Sequence, residues 1–278
     1  MNYPIIDPVL VDFGLFAIHW YGFMYLLAFA AFWLLAYVRI RNQQISWNIA
    51  QLNDACFYMV LGVIIGGRVG YALFYGLEQF LSDPIWLFRI WEGGMSFHGG
   101  LLGVIAGLFL WCKLNKHGFW ATMDTVAPFV PLGLGLGRVG NFINTELPGR
   151  VTDSALGVHF PCFSVVDHNF LCIGQFEDVT RHVSSLYQAF AEGVVLFAAL
   201  WFFSAKPRET GQVAGLFLLG YGILRIVTEF FRQPDPELGF ILFGALSMGQ
   251  LLSSLMVIVG IVLLLPMSTR YLQRRTHA

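Results

Sequence analysis

The chain has 278 residues and a net charge of −1, and 57% of its residues are hydrophobic while only 12% are charged. Ordinary soluble domains carry about 25% charged residues. The mean hydropathy of +0.67 also argues against a soluble domain, and the nearly balanced charge gives no reason to expect a nucleic-acid partner. We therefore predict an all-α polytopic membrane protein.

Seven apolar stretches have lengths that suit membrane-spanning helices, which need about 20 apolar residues. In chain order they cover approximately residues 18–38, 51–77, 95–112, 119–140, 186–204, 212–231 and 245–266. We expect them to form a single transmembrane domain over residues 1–278.

The loops between these predicted spans differ in their basic residues. Nine Lys and Arg residues follow the first, third, fifth and seventh spans: Arg39, Arg41, Lys113, Lys116, Lys206, Arg208, Arg270, Arg274 and Arg275. The other loops carry four: Arg89, Arg150, Arg181 and Arg232. Because basic loops tend to stay in the cytoplasm, this bias predicts an N-terminus outside and a C-terminus in the cytoplasm.

Three arginines, Arg68, Arg138 and Arg225, lie inside the second, fourth and sixth predicted spans. With the predicted orientation, each falls in the outer half of its helix. A charge inside a span is costly, so it indicates a functional site unless a structural partner neutralises it. Other polar residues fall at the same depth: His19, Trp20, Tyr21, Ser96, His98, Tyr187, Gln188, Glu229, Ser247 and Gln250. We expect a polar cavity in the outer leaflet that all seven helices surround.

The longest predicted loop, residues 141–185, lies on the same outer side. Loops of this length usually carry a function or fold into a small subdomain, so we expect an extracytoplasmic head here, inserted between spans four and five. Its histidines and carboxylates match no known metal-ligand spacing, and we predict no metal site. Cys162 and Cys172 would form a disulfide if the loop faces an oxidising compartment, and the sequence leaves this open.

Residues 137–150, Gly-Arg-Val-Gly-Asn-Phe-Ile-Asn-Thr-Glu-Leu-Pro-Gly-Arg, concentrate polar groups at the end of the fourth span. The Arg138 guanidinium suits phosphate or carboxylate, and Asn141 and Asn144 add amide donors and acceptors. The glycines permit close approach of a backbone or a ligand. The alternative is a helix end with a snorkelling arginine and loop-forming Asn and Gly residues.

This stretch resembles the signature of the prolipoprotein diacylglyceryl transferase family, in the pattern Gly-Arg-x-Gly-Asn-Phe-x-Asn-x-Glu-x-x-Gly-Arg. Other blocks are similar to that family too: His19–Gly22, Gly66–Tyr71, Trp91–Gly100, Arg225–Arg232 and Leu246–Gln250. One block departs from it. The family usually reads Arg-His-Pro-x-Gln-Leu-Tyr-Glu where residues 181–188 of this chain read Arg-His-Val-Ser-Ser-Leu-Tyr-Gln.

The resemblance implies a seven-span enzyme of the bacterial cytoplasmic membrane, with its active site in the outer half of the bilayer. The family transfers the diacylglyceryl group of phosphatidylglycerol to the lipobox cysteine thiol of a prolipoprotein signal peptide, and glycerol phosphate leaves. This chemistry requires stabilisation of charge on the departing phosphate and conversion of the thiol to thiolate. It requires no redox change, nucleotide or metal, so we predict no cofactor.

The resemblance also suggests roles for individual residues. Arg138 and Arg225 are expected to bind the phosphate, and His98 is the leading candidate for taking the thiol proton. Tyr21 is expected to donate a hydrogen bond to a phosphate or glycerol oxygen. The remaining expected substrate contacts are Arg68, Asn141, Glu146, Gly149, Glu229 and Arg232.

Several of these residues have a structural alternative. Arg225 would pair with Glu229, one turn beyond it on the same helix face. His98 would be a packed or capping residue at a helix start, and Tyr21 an interfacial aromatic residue. Arg68 and Arg232 would be structural contacts.

Two other functions fit parts of the pattern. An anion transporter would explain the arginines, but it needs polar residues along a complete path, and the cytoplasmic halves of these spans are almost wholly apolar. A non-catalytic protein that binds lipids or signal peptides would also explain the arginines, but it gives no reason for His98.

Overall fold

The computed structural model describes residues 1–14, 17–162, 176–233 and 247–265. The strands are β1 (Val9–Asp12), β2 (Ala17–His19), β3 (Val158–Pro161) and β4 (Phe176–Arg181). The helices are α1 (Trp20–Arg41), α2 (Ile49–Phe74), α3 (Leu77–Ser82), α4 (Phe97–Asn115), α5 (Phe119–Val126), α6 (Val130–Ile143), α7 (Ser184–Gln188), α8 (Leu196–Phe203), α9 (Gln212–Glu229) and α10 (Met248–Leu264). Two 3₁₀ helices cover Pro84–Phe88 and Ile90–Glu92, and the π-helical segment Ala189–Val195 joins α7 to α8.

Among the described residues, five helical stretches are long and apolar enough to cross a membrane: α1, α2, α4, α9 and the continuous run Ser184–Phe203. The pair α5 and α6 makes a sixth if it counts as one span with a bend of 53°. Helix α10 is apolar but has only 17 residues. The prediction of a polytopic helical membrane protein is confirmed, whereas the number of seven spans and their direction stay predictions.

The fourth predicted span differs from the single helix expected over residues 119–140. The chain breaks between α5 and α6, and Pro128 lies in the break, with Pro131 in the first turn of α6. Proline lacks an amide hydrogen and its ring clashes with the preceding helical turn. The two prolines therefore explain why this stretch forms two helices.

The chain divides into two compact units, one made of Met1–Phe32 with Asp124–Ala278 and a smaller one made of Trp33–Met123. In the smaller unit, α2 and α4 pack backbone against backbone through glycines. A Cβ on Gly70 would lie 2.7 Å from the Gly99 Cα, and a Cβ on Gly66 would lie 2.8 Å from the Gly103 Cα. Small residues four apart permit such close packing between membrane helices, so no larger side chain fits along this contact.

The larger unit contains α6 to α10. Helix α6 meets the π-helical segment where Gly135 faces Gly193, and a Cβ on Gly135 would lie 3.0 Å from the Gly193 Cα. Helix α9 packs along α10. The Asp124 carboxylate accepts hydrogen bonds from the Gly211 and Ala214 amides at 2.5 and 2.8 Å, which satisfies amides at the start of α9 that have no partner within the helix.

A small head lies at the ends of α6 and α9 in the larger unit. Strands β3 and β4 pair antiparallel, and the N-terminus joins β3, where the Tyr3 amide donates to the His159 carbonyl at 2.9 Å. Tyr3 packs with Val158, Phe160 and Val183 in the core of the head. The Tyr3 hydroxyl donates to the Phe142 carbonyl at 2.6 Å, and burial raises the pKa of this hydroxyl.

Cys162 of the head is disulfide-bonded. Its expected partner, Cys172, lies outside the described residues, so the pairing itself stays a prediction. Other residues of the sequence analysis also lie outside the described residues: Asp167 and His168 of the same loop, and Arg270, Arg274 and Arg275 of the C-terminal tail.

Candidate functional site

Most of the predicted site residues lie in the larger unit: Tyr21, Arg138, Asn141, Glu146, Gly149, Arg225, Glu229 and Arg232. Arg68 and His98 lie in the smaller unit.

Arg138 lies in a buried ion pair that the close contact of α6 with the π-helical segment makes possible. Its Nε is 3.6 Å from Oε2 of Glu192, whose side chain is fully buried, whereas 20% of the Arg138 side chain is exposed. The other carboxylate oxygen of Glu192 accepts a hydrogen bond from Thr228 of α9 at 3.0 Å. A π-helical turn is rare and often marks a functional site, and here it carries a carboxylate that faces Arg138.

Arg225 is held more tightly than Arg138. Its Nη1 is 2.5 Å from Oε2 of Glu229, and both side chains are more than 90% buried. Ser247 donates a hydrogen bond to the other Glu229 oxygen at 2.9 Å. Gly249 leaves room for this pair, because a Cβ there would lie 3.0 Å from Glu229 Oε1. Arg225 therefore forms the ion pair with Glu229 that was the structural alternative to phosphate binding. Its contact with phosphate stays a prediction.

The two ion pairs belong to one polar cluster inside apolar helices. Tyr221 of α9 lies close enough to Glu192, Arg138 and Arg225 for the charges of all three to act on its hydroxyl. The Thr228 hydroxyl, which bonds to Glu192, also lies 3.3 Å from the Arg225 carbonyl oxygen, and its single proton can go to either acceptor. Two arginines and two glutamates make this cluster formally neutral.

The end of α6 forms a second polar group next to this cluster. Asn141 and Asn144 donate hydrogen bonds to the two oxygens of Glu146, at 2.7 and 3.1 Å. The ring of Tyr21 lies against Gly140, where a Cβ would be 2.9 Å from the ring. The charges of Glu146 and Arg138 both act on the Tyr21 hydroxyl. The structure therefore brings Tyr21, Arg138, Asn141 and Glu146 together at the end of α6, and their contacts with a substrate stay predictions.

A cavity of about 690 Å³ opens at this second group. It is lined by Ala17, Ile18, His19, Tyr21, Gly22, Leu26, Asn144 and Glu146. Both apolar and polar side chains line it, which suits an amphipathic ligand with a polar headgroup.

Gly149 has a structural role in the turn that follows α6. Its amide donates to the His182 carbonyl at 3.0 Å, and a Cβ at this position would lie 2.7 Å from the Phe231 carbonyl oxygen. The next residue, Arg150, donates through Nε to the Arg232 carbonyl at 3.0 Å. This turn follows α6 and bonds both to His182, which precedes α7, and to Arg232, which follows α9. It therefore holds the ends of α6 and α9 together.

Arg68, in the smaller unit, is fully engaged by backbone carbonyls. Its guanidinium donates to five of them, those of Trp86, Leu87, Arg89, Gly93 and Gly94. Its side chain also lies over the Trp86 ring, with the guanidinium carbon 4.3 Å from the ring centroid. A guanidinium has five N–H donors, and all five are used. The geometry favours the structural alternative for Arg68 over a substrate contact.

His98 lies in the first turn of α4, and its side chain is exposed. Ser96 caps this helix by accepting the Gly99 amide at 3.2 Å, so the capping role considered for His98 belongs to Ser96. The His98 ring packs edge-to-face against Phe97, with 5.6 Å between the ring centroids. An exposed imidazole at a helix start is accessible to a substrate thiol, and its role as proton acceptor stays a prediction.

The described residues contain no group of three or more His, Cys, Asp or Glu side chains that could hold a metal ion. The expectation of a reaction without cofactor stays a prediction. The sequence reasoning missed Glu192, although a carboxylate inside the apolar run 186–204 is itself a signal for a functional or paired charge.

Comparison with known proteins agrees with the sequence resemblance. A sequence model described as prolipoprotein diacylglyceryl transferase matches residues 8–266. A protein of Legionella pneumophila strain Corby named phosphatidylglycerol–prolipoprotein diacylglyceryl transferase is 50% identical over 261 residues, which are 94% of this chain and 97% of that protein. A protein of the same name from Acinetobacter baumannii strain SDF is 48% identical over 264 residues, 94% of this chain and 92% of that protein. The chain therefore belongs to the prolipoprotein diacylglyceryl transferase family.

Proposed function

We propose that the chain transfers the diacylglyceryl group of phosphatidylglycerol to the lipobox cysteine thiol of a prolipoprotein, the first step of lipoprotein maturation. The names of its relatives support these two substrates. The observation that carries the proposal is the polar cluster around Arg138 and Arg225, which places two guanidinium groups inside apolar helices and leaves Arg138 partly exposed, 3.6 Å from its carboxylate. A phosphate headgroup with an apolar body is the ligand class that such surroundings match.

The proposed reaction is a displacement at carbon. The thiolate sulfur attacks the glycerol carbon that bears the phosphate, a C–S bond forms, and the C–O bond to phosphate breaks. The electron pair of that bond leaves with glycerol phosphate, and the thiol proton passes to a base. The lipid therefore keeps both acyl chains and becomes a thioether of the cysteine.

Arg138 is the better candidate for binding the departing phosphate. Its contact with Glu192 is 3.6 Å long and its side chain is partly exposed, whereas the Arg225 pair is short and buried. A phosphate oxygen can thus approach Arg138 without breaking a short ion pair. We assign Arg225 to hold the same phosphate from the side of α9, with Glu229 and Ser247 fixing its position.

His98 is proposed as the base, because its imidazole is exposed at the start of α4, where a substrate thiol can reach it. Tyr21 and Glu146, which line the 690 Å³ cavity, and Asn141, which donates to Glu146, are proposed to contact the lipid headgroup. We further propose that the chain crosses the bacterial cytoplasmic membrane seven times with its N-terminus outside. The seven apolar segments, their basic loops and the disulfide-bonded Cys162 of the head support this arrangement.

The experiment is incubation of the purified protein with phosphatidylglycerol and a lipobox peptide, followed by mass spectrometry of the peptide. We expect a mass increase of one diacylglyceryl group, and a protein that only binds lipids or transports anions would produce none. The Arg138→Ala variant should be slower by about 100-fold or more, because a donor that stabilises developing charge contributes that much.

The matched control is Arg208→Ala. Arg208 is exposed, belongs to the same unit and bonds through Nε to the Phe203 carbonyl at 2.9 Å. This variant should transfer at the wild-type rate. An Arg138→Ala protein that inserts normally and keeps most of its activity would remove the proposed phosphate role.

A further inference from the structure

Gln188, the last residue of α7, is a polar side chain with no exposed surface. Neither its Nε2 nor its Oε1 has a hydrogen-bond partner among the described residues. Burying an amide without partners is unfavourable, and most buried polar groups in proteins are paired. An unpaired buried amide therefore needs an explanation beyond packing.

Two contacts on either side of Gln188 locate it in the larger unit. Four residues before it, the Ser184 hydroxyl donates to the Leu147 carbonyl at 2.7 Å. Four residues after it, Glu192 lies 3.6 Å from Arg138. Residues four apart share one face of a helix, so Gln188 lies on this face between the two contacts.

This position falls between the two polar groups of the site. On one side is the cluster of Arg138 and Glu192, and on the other is the turn that contains Glu146. Helix α7 packs against both α6 and α9, which carry Arg138 and Arg225. The Gln188 amide is thus enclosed by the helices that carry the proposed phosphate-binding arginines.

The chemistry of the amide narrows the kind of ligand. Its Nε2 donates hydrogen bonds and its Oε1 accepts them, whereas a phosphodiester only accepts. A ligand that satisfies both atoms must offer donors as well as acceptors. A polyol has both, because each hydroxyl can donate and accept.

We propose that Gln188 binds the hydroxyl groups of the glycerol headgroup, and so selects a lipid whose phosphate carries a polyol. This inference rests on the proposed function, since it assigns the headgroup contact of the same site. The phosphate then lies toward Arg138 and the free glycerol lies toward Gln188.

The test is the Gln188→Met variant, which keeps the length of the side chain and removes its hydrogen-bonding atoms. If the amide serves only the ligand, removing an unpaired buried polar group should leave the thermal midpoint unchanged or raise it by about 2–4 °C. The value of kcat/KM for phosphatidylglycerol should fall about tenfold. A lowered midpoint would show that the amide supports the fold and would overturn the inference.

A binding experiment separates the headgroup hydroxyls from the phosphate. Displacement of a fluorescent phosphatidylglycerol by unlabelled phosphatidylglycerol or by phosphatidylethanol, which lacks headgroup hydroxyls, gives two dissociation constants for each protein. In Gln188→Met we expect phosphatidylglycerol to bind about tenfold more weakly, and phosphatidylethanol to bind as it does to the wild type. Equal weakening of both lipids, or of neither, would overturn the inference.

The control is Gln212→Met, the same substitution in a half-buried residue at the start of α9. Its Oε1 accepts the Glu209 amide at 3.2 Å, far along the chain from the site residues of α9. This variant should keep both dissociation constants. A wild-type protein without transferase activity would contradict the proposed function itself, whereas an active wild type with an unaffected Gln188→Met variant contradicts only this inference.

Discussion

Glu192 is a fully buried carboxylate whose two oxygens face different helices. One oxygen accepts from Thr228 of α9, and the other lies 3.6 Å from Arg138 of α6. The Arg138–Glu192 contact is too long for a strong hydrogen bond. Arg138 can therefore still donate hydrogen bonds to a phosphate. Glu192 thus fixes the direction of the Arg138 side chain without occupying it fully.

Replacing Glu192 tests this positioning role. In Glu192→Gln the amide oxygen can still accept from Thr228, but the charge that orients Arg138 is lost. We expect kcat to fall about 10- to 100-fold while KM for phosphatidylglycerol changes by less than about threefold. Glu192→Asp keeps the charge and should recover part of kcat. A raised KM with unchanged kcat would instead make Glu192 a ground-state contact.

His98 gives a prediction with a defined pH dependence. A base is needed only while the substrate thiol is protonated, and the pKa of an ordinary thiol is about 8.5. The transfer rate of His98→Gln should therefore be low at neutral pH. The difference between its rate and the wild-type rate should shrink as the pH rises toward about 9. Transfer rates measured from about pH 6 to 9 test this. A deficit that is constant over this range would argue against general-base catalysis by His98.

At the residue scale, the sequence shows which polar residues lie near one another along the chain. It does not show which distant residues they pair with. Asn141, Glu146 and Arg138 lie close together because one helix end carries them. Glu192 pairs with Arg138 across 54 positions of sequence, and no local pattern encodes such a pair. Arg68 shows the same limit, since its five carbonyl partners form a loop whose shape the sequence does not reveal.

The loop that follows α3 is built around Arg68. Its carbonyls at positions 86, 87, 89, 93 and 94 all accept from one guanidinium, and Arg89 pairs with Asp83 at 2.8 Å. Gly93 and Gly94 both have φ of +80°, a conformation that glycine adopts at little cost. The loop therefore depends on one buried side chain from α2 and on two glycines.

Arg68→Lys should destabilise this loop although the charge is kept. Lysine has three donors on a single nitrogen and cannot reach five carbonyls arranged around a planar group. We expect a loss of about 3–5 kcal/mol of stability, as for a buried charge deprived of its partners. The measurement is the thermal midpoint in detergent, together with KM for phosphatidylglycerol of the folded fraction. A stable variant with a raised KM would restore Arg68 as a substrate contact.

Among whole elements, the sequence predicted apolar segments correctly but not their internal breaks. The run 119–140 has the composition of one span, yet Pro128 divides it into α5 and α6. The run 186–204 contains a π-helical turn that no apolar pattern distinguishes from an α-helix. Hydrophobicity determines where a segment lies in a membrane, whereas local backbone geometry depends on single prolines and on packing such as Gly135 against Gly193.

The helix ends of the larger unit show why one orientation decides the position of its three buried or half-buried charges. Arg138 lies five residues before the end of α6, Arg225 four before the end of α9, and Glu192 eight after the start of α7. At 1.5 Å per residue these distances are about 6–12 Å. All three helix ends meet at the head, through the bonds of Ser184 to Leu147 and of Arg150 to Phe231. Whichever side of the membrane holds the head also holds Arg138, Arg225 and Glu192.

The proposed orientation puts the head outside, and two tag insertions test it. An epitope after Ser154, in an exposed turn of the head, should bind antibody on intact spheroplasts. An epitope after Arg208, in the exposed loop between α8 and α9, should bind only after permeabilisation. Each tagged protein must still transfer lipid, which shows that the insertion has not inverted it. The reverse pattern in active proteins would move Arg138 to the inner leaflet, where an externally delivered thiol could not reach it.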